Sequence, residues 1–101
     1  MPDQKLGRTM LRALKAINEL IPSAPDARVE ALEAERERLL EELGRLVDEN
    51  LDQEGADYQA ATAAMNAASV AIENALENMR KIAKAIALLG QALELAASLK
   101  P

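Results

Sequence analysis

The chain has 101 residues, half of them apolar, with Tyr58 its only aromatic residue and neither Cys nor His. That length suits one helical domain over residues 1–101, and the missing residue types exclude disulfides, thiolate metal sites and the commonest general base. The net charge of −5 is uneven: residues 1–25 carry four bases against two acids, residues 26–57 four against twelve, and residues 58–101 four against three, an acidic centre that would repel phosphate backbones and argues against nucleic acid as a partner.

A first helix is expected over about 3–21. Leu6, Met10, Ala13, Leu14, Ile17, Leu20 and Ile21 recur on one face at ~100° per residue, with Lys5, Arg8, Arg12 and Lys15 opposite them. The run Pro22-Ser23-Ala24-Pro25 ends it, because proline lacks the N–H and disfavours helix at the residue before it. The segment Met1 to Arg12 has no long apolar run, so no secretory signal is expected there.

A second helix is expected over about 26–54, starting at Ser23 or Asp26, both good N-caps. Its stripe is Val29, Leu32, Leu39, Leu40, Leu43, Leu46, Val47 and Leu51, and its outer face is Glu30, Glu33, Glu37, Glu41 and Glu49 with Arg38 and Arg45 between them. Arg36 and Asn50 interrupt the stripe, and a polar residue on such a seam can set register or simply reach solvent at a bundle end. Gly55 is the expected left-handed residue closing this helix.

A third helix is expected over about 57–99, with Asp57 as its N-cap. Ala61, Met65, Ala68, Ile72, Ala75, Met79, Ile82, Ile86, Leu89 and Leu93 form a heptad-like stripe. Unbroken, this helix would be about 65 Å long. The first two helices could then line it end to end. The alternative is a compact bundle in which it breaks near Asn78 or Gly90. The fold class is therefore all-α, either a three-helix antiparallel bundle or a long helical hairpin with an extra N-terminal helix, in both cases with coiled-coil-like packing.

No motif points to chemistry. Asp48, Asn50 and Asp52 match the first three ligand positions of a calcium-binding EF-hand loop, but Gln53 stands where Gly is needed and Gln59 where the bidentate Glu belongs. Di-iron bundles need Glu-x-x-His pairs facing inward, and there is no His. Thr9, Ser23, Thr62, Ser69 and Ser98 lack a His to activate them as nucleophiles. The expectation is a protein that is not an enzyme and that has no cofactor and no metal.

What the sequence offers instead is surplus apolar helix surface at its C-terminal end. Ile86, Leu89 and Leu93 lie on one stripe, and Leu88, Leu95 and Leu99 on another, a third of a turn or more away. Contiguous apolar surface left without cover usually marks an interface. These six residues are the expected interface of a cytoplasmic protein–protein interaction module (an adaptor, an assembly component or an inhibitor of another protein) that forms a homodimer. Met10, Met65 and Met79 fall on core stripes and read as packing. Nothing approaches the roughly 20 consecutive apolar residues of a membrane span.

Two other readings compete. The basic face of the first helix could rest on an anionic lipid surface. In length and helix–turn–helix plan the chain also resembles small secreted hairpins of the WXG100 type, which implies an exported or export-associated protein. The Trp-x-Gly turn of that family is replaced here by Gln53-Glu54-Gly55-Ala56, and Thr62 stands where an acid would follow Tyr58.

Overall fold

The computed structural model describes residues 5–48 and 55–99. All of its regular structure is helical, and no strand occurs among the described residues. α1 spans Lys5–Leu20, α2 Asp26–Asp48, α3 Ala56–Glu77 and α4 Ile82–Ala97. The all-α expectation holds, with four helices in place of three. Asn50, Leu51, Asp52, Gln53 and the end expected for the second helix, together with the start expected for the first, lie outside the described residues.

The loop between α1 and α2 follows its prolines. Pro22 sits in a single 3-10 turn, Ile21–Ser23, and the Pro25 carbonyl accepts the Arg28 N–H at 2.8 Å to open α2. Asp26 is therefore the first helical residue and not the cap. Gly55 has φ −67° and ψ 148°, an extended conformation that caps the start of α3. It is not the left-handed terminator expected for α2, and Asp57 falls inside the first turn of α3.

The long third helix is broken at Asn78. This residue is extended, with φ −144° and ψ 101°. Its N–H donates to the Asn74 carbonyl at 3.0 Å, closing α3. Its side-chain oxygen accepts the Arg80 N–H at 3.1 Å, opening a 3-10 turn over Met79–Lys81 that leads into α4. The apolar stripe runs through the break in helical phase, from Ala75 through Met79 to Ile82, so local periodicity carries no mark of it. The gain from folding back is tertiary: Ala85, Leu89, Ala92, Leu93 and Ala96 of α4 are all fully buried, which a straight helix lying on one partner could not achieve. Asn78→Ala removes the acceptor and raises helix propensity at the break. It should cost about 1 kcal/mol, the usual worth of such a cap, read by urea unfolding. An unchanged midpoint would show that packing alone holds the turn.

The four helices form two antiparallel hairpins, α1–α2 and α3–α4, set side by side. Contacts fix their direction. Leu6 meets Tyr58, Thr9 meets Ser69 and Arg12 meets Glu73, so α1 and α3 run the same way. Glu35 lies against Gly90 and Arg45 reaches Ala96 and Leu99, so α2 and α4 also run the same way. Each helix thus has one neighbour from its own hairpin and one from the other.

Residue size decides how closely they pack. Ala13 and Ala16 of α1, Ala61, Ala68 and Ala75 of α3, and Ala85, Ala92 and Ala96 of α4 are buried. Small residues let helix axes approach towards the short end of the usual ~8–10 Å range. Ser69 belongs to this layer: it is fully buried, and its hydroxyl satisfies itself on the Met65 carbonyl at 3.0 Å, with the Thr9 carbonyl of α1 at 3.3 Å. Among the described side chains of α2 the fully or nearly buried ones are Leu32, Leu39 and Leu46, a strict seven-residue repeat. This helix touches the rest along one line. Leu40, expected in the core, is 48% exposed, because it lies ~100° round the helix from Leu39.

Candidate interaction surfaces

Polar groups from separate helices pin the hairpins together. Tyr58, 5% exposed, places its hydroxyl oxygen 3.1 Å from the Leu6 N–H and accepts from it. That N–H lies in the first turn of α1, where N–H groups have no intrahelical acceptor. Arg45, expected on the outer acidic face, instead turns towards α4. Its Nε donates to Glu42 at 2.9 Å, and its terminal nitrogens donate to the carbonyls of Ala96 at 2.5 Å and Leu99 at 3.1 Å. Leu99 follows the end of α4, and the Ala96 carbonyl, in its last turn, also accepts the Leu99 N–H at 3.2 Å. Arg36 is half-buried and reaches Asn18 of α1 at 3.4 Å. Sequence reasoning missed the roles of Tyr58 and Arg45, since neither partner lies within fifty residues along the chain.

On the outer edge of the α1–α3 contact, Arg12 meets Glu73 in a two-pronged pair, at 3.0 and 2.6 Å, and also donates to Asn66 at 3.2 Å. The basic face of α1 is thus engaged in part by α3, not by the acidic α2. Arg12, Lys15, Ala16, Glu19 and Glu73 line a shallow depression of about 230 Å³ beside this pair. The hydrogen bond from Arg12 is the main cause holding the Glu73 carboxyl below its ordinary value of 4.5; partial desolvation opposes this, and the charges of Arg12 and Lys15 assist. The same hydrogen bond, with the charge of Glu73, raises the Arg12 guanidinium. A carboxylate with a lowered folded pKa adds stability above its unfolded pKa and loses it as pH falls through the folded value. The advantage of the native chain over Glu73→Gln should therefore be constant above 4.5 and disappear at lower pH, in melting curves taken along a pH series. It should be small, because both side chains are 40% or more exposed and screened by solvent.

The six C-terminal residues expected to form an interface divide sharply. Leu89 and Leu93 are fully buried and Leu99 is 6% exposed, all within this one chain. Ile86 and Leu88 are half-buried against the same core. Leu95 alone stands out, at 41% exposed. The second stripe foreseen for this end is covered largely by α3, because the chain folds back at Asn78.

Leu95 and Leu88 sit on the side of α4 that faces α3, towards solvent. Across the seam α3 exposes Ala60, Ala63 and Ala67, whereas Val70, 39% exposed, lies one turn from both Asn66 and Glu73 and so towards α1. No charged residue occurs between Asp57 and Glu73, or between Lys84 and Glu94. Between those charges the outer α3–α4 face is a largely apolar surface of small residues, with Leu88 and Leu95 standing above it and exposed Lys84 at one end.

The outer α1–α2 face is different. Leu11, at 57% exposed, and half-buried Leu14 face the α2 side of α1; Leu40 and half-buried Leu43 face the α1 side of α2. Around them lie exposed Lys15 on α1 and exposed Glu30, Glu33, Glu37 and Glu41 on α2. The fully buried apolar stripe of α1 itself, Leu6, Met10, Ala13, Ile17 and Leu20, would reach a lipid surface only if the bundle opened.

Among the described residues no group of acidic side chains is placed to hold a metal ion, and no helix is long and apolar enough to cross a membrane. The acidic segment with partial EF-hand spacing falls mostly outside the described residues. No protein-family model matches the chain, and neither a curated protein nor a solved structure matches it.

Proposed function

We propose that the protein is a non-enzymatic helical interaction module that binds a partner protein on its outer α3–α4 face and also self-associates. The observation that carries the docking reading is the uncharged stretch of surface on that face, with Leu88 half-buried and Leu95 exposed beside the alanines of α3. Water is a poor neighbour for such a surface, and burying apolar area gains roughly 25 cal/mol per Å². The alanines leave the seam shallow, so an approaching helix can lie along it, with its own apolar residues at helical spacing beside Leu88 and Leu95. The partner is then an amphipathic helix with little charge on its binding face. The acidic α2 on the far side keeps the module dissolved and leaves this face free of like charge.

The reading is tested with the double variant Ala67→Glu and Leu95→Glu. Both positions are exposed, so helix content and melting temperature should stay close to those of the native chain. Affinity capture from the native host should retain a partner on the native chain and lose it on the variant. Identical capture profiles for the two proteins would refute the docking face.

A further inference from the structure

The turn that carries α4 back onto the bundle is one extended residue away from being helix. Asn78 has φ −144° and ψ 101°, whereas Met79–Lys81 already form a 3-10 turn and Ile82 is helical at φ −63° and ψ −40°. No glycine or proline occurs between Gly55 and Gly90, and Met, Arg and Lys are among the better helix formers. The other hairpin is built differently. Its turn holds Pro22 and Pro25, which a continuous helix cannot absorb without losing backbone hydrogen bonds.

The apolar stripe supplies a second observation. Ala75, Met79, Ile82 and Ile86 keep the phase of an unbroken helix through the turn. A hairpin has no use for this continuity, because the turn itself sets how α4 lies on α3. With Asn78 rotated into the helical region, α3 and α4 become one helix from Ala56 to Ala97, about 60 Å long at ~1.5 Å per residue, with a single apolar stripe along its length.

One opened chain alone would leave its α4 uncovered. Ile82, Ala85, Leu89, Ala92, Leu93 and Ala96 are buried in α4, which packs against α3 and α2, and Arg45 of α2 donates to the carbonyls of Ala96 and Leu99. Apart from the turn, none of these contacts depends on which copy supplies α4. A second opened copy, related by a two-fold axis near Asn78, restores them: its α4 lies antiparallel on α3 of the first copy, in the same seat beside α2, and the first copy does the same in return. Fold-back and exchange therefore bury the same residues. They differ in the conformation of the turn and in the entropy of association, which rising concentration offsets.

We infer that two copies of this chain exchange α4, with Asn78 as the hinge, so that each α4 completes the bundle of the other copy. The inference rests on the self-association in the proposed function and gives it a mechanism that needs no further exposed surface, since exchanging an identical element is a low-cost route to a dimer. It also makes the assembly bivalent, because each half rebuilds an outer α3–α4 face from α3 of one copy and α4 of the other.

Two substitutions in the turn act in opposite directions. Asn78→Ala removes the acceptor of the Arg80 N–H, a bond belonging to the closed form, and favours helix at the hinge. The change that weakens the monomer should therefore tighten the dimer, roughly a hundredfold, about tenfold for each of its two hinges. Met79→Pro holds the preceding Asn78 in the extended region it already occupies and bars a continuous helix, so only monomer should remain. Each chain is refolded from urea at high and at low concentration and weighed by light scattering. The native chain should give a dimer fraction that grows with the concentration of refolding. Exchange is read directly by refolding a mixture of chains carrying Glu35→Cys or Gly90→Cys, positions that face each other across α2 and α4 in a protein with no native thiol. A short thiol crosslinker should join the two chains, most in an Asn78→Ala background and least with Met79→Pro. Circular dichroism checks that each variant folds, and if Met79→Pro does not, Asn78→Ala and the crosslink decide. A native chain that is monomeric at every concentration overturns the exchange and the self-association together. A native dimer that Asn78→Ala does not favour, or that gives no crosslink between the two chains, overturns the exchange alone. Partner capture on the α3–α4 face is a separate assay and stands or falls with Ala67 and Leu95.

Discussion

Leu39→Ala should destabilise the protein by about 2–5 kcal/mol, the usual cost of truncating a fully buried leucine where the surroundings relax only partly. The total stability of a domain this size is about 5–15 kcal/mol, so this single change removes a large part of it. The reason is the way α2 is attached. Leu32, Leu39 and Leu46 are its deeply buried residues, and they form a single line. Leu39 is the middle one, and without it the two remaining anchors stand about 21 Å apart. Arg45 clips only one end of the helix to α4, and Arg36 makes one long contact to α1. Urea unfolding followed by circular dichroism should show the shift, and hydrogen exchange should rise first along α2. A loss below 1 kcal/mol, with α2 amides still protected, would mean that the acidic helix is held by something other than its leucine line.

Ala68→Leu should also destabilise, by about 1–3 kcal/mol or more, for the opposite reason. Ala68 is fully buried in α3, the helix that packs most extensively against both α1 and α4. The buried faces of the helices it packs against are rich in small residues, including Ala13 and Ala16 of α1 and Ala85, Ala92 and Ala96 of α4. Three added carbons cannot fit unless a helix moves, and α3 has a close neighbour on either side. The control is one residue away. Ala67 is exposed, and Ala67→Leu should leave stability within about 0.5 kcal/mol. Tyr58, the only aromatic and itself buried at the start of α3, gives a spectroscopic reading of packing beside that of helix content. Equal effects at positions 67 and 68 would show that the buried face of α3 has been assigned wrongly.

The amino-acid sequence by itself determined that this chain is helical and which faces lie inside. The period of its apolar residues is strong and local, and ten of ten positions of the long stripe, Ala61 to Leu93, are buried or half-buried as that period requires. The proline run at 22–25 was legible for the same reason, since proline acts on its own and the preceding residue. The acidic character of α2 and the basic character of α1 were equally plain. Beyond that, the tertiary structure decided. The stripe passes through Asn78 without losing phase, so no local signal separates a single long helix from a hairpin; what separates them is the area of α4 buried by folding back. The same fold-back consumed most of the apolar residues that looked like surplus at the C-terminal end, leaving Leu95 exposed. Leu40 came out of the core because it lies ~100° round α2 from Leu39, on the side turned away from the other hairpin. Arg45 and Tyr58 found their partners across more than fifty residues, at carbonyls and an N–H that only a neighbouring helix could bring within reach. Each outer face belongs to one hairpin, α1–α2 or α3–α4, and takes half its residues from one helix and half from the next; which side of each hairpin is left outward was decided by how the two hairpins pack together, which one-dimensional order does not say.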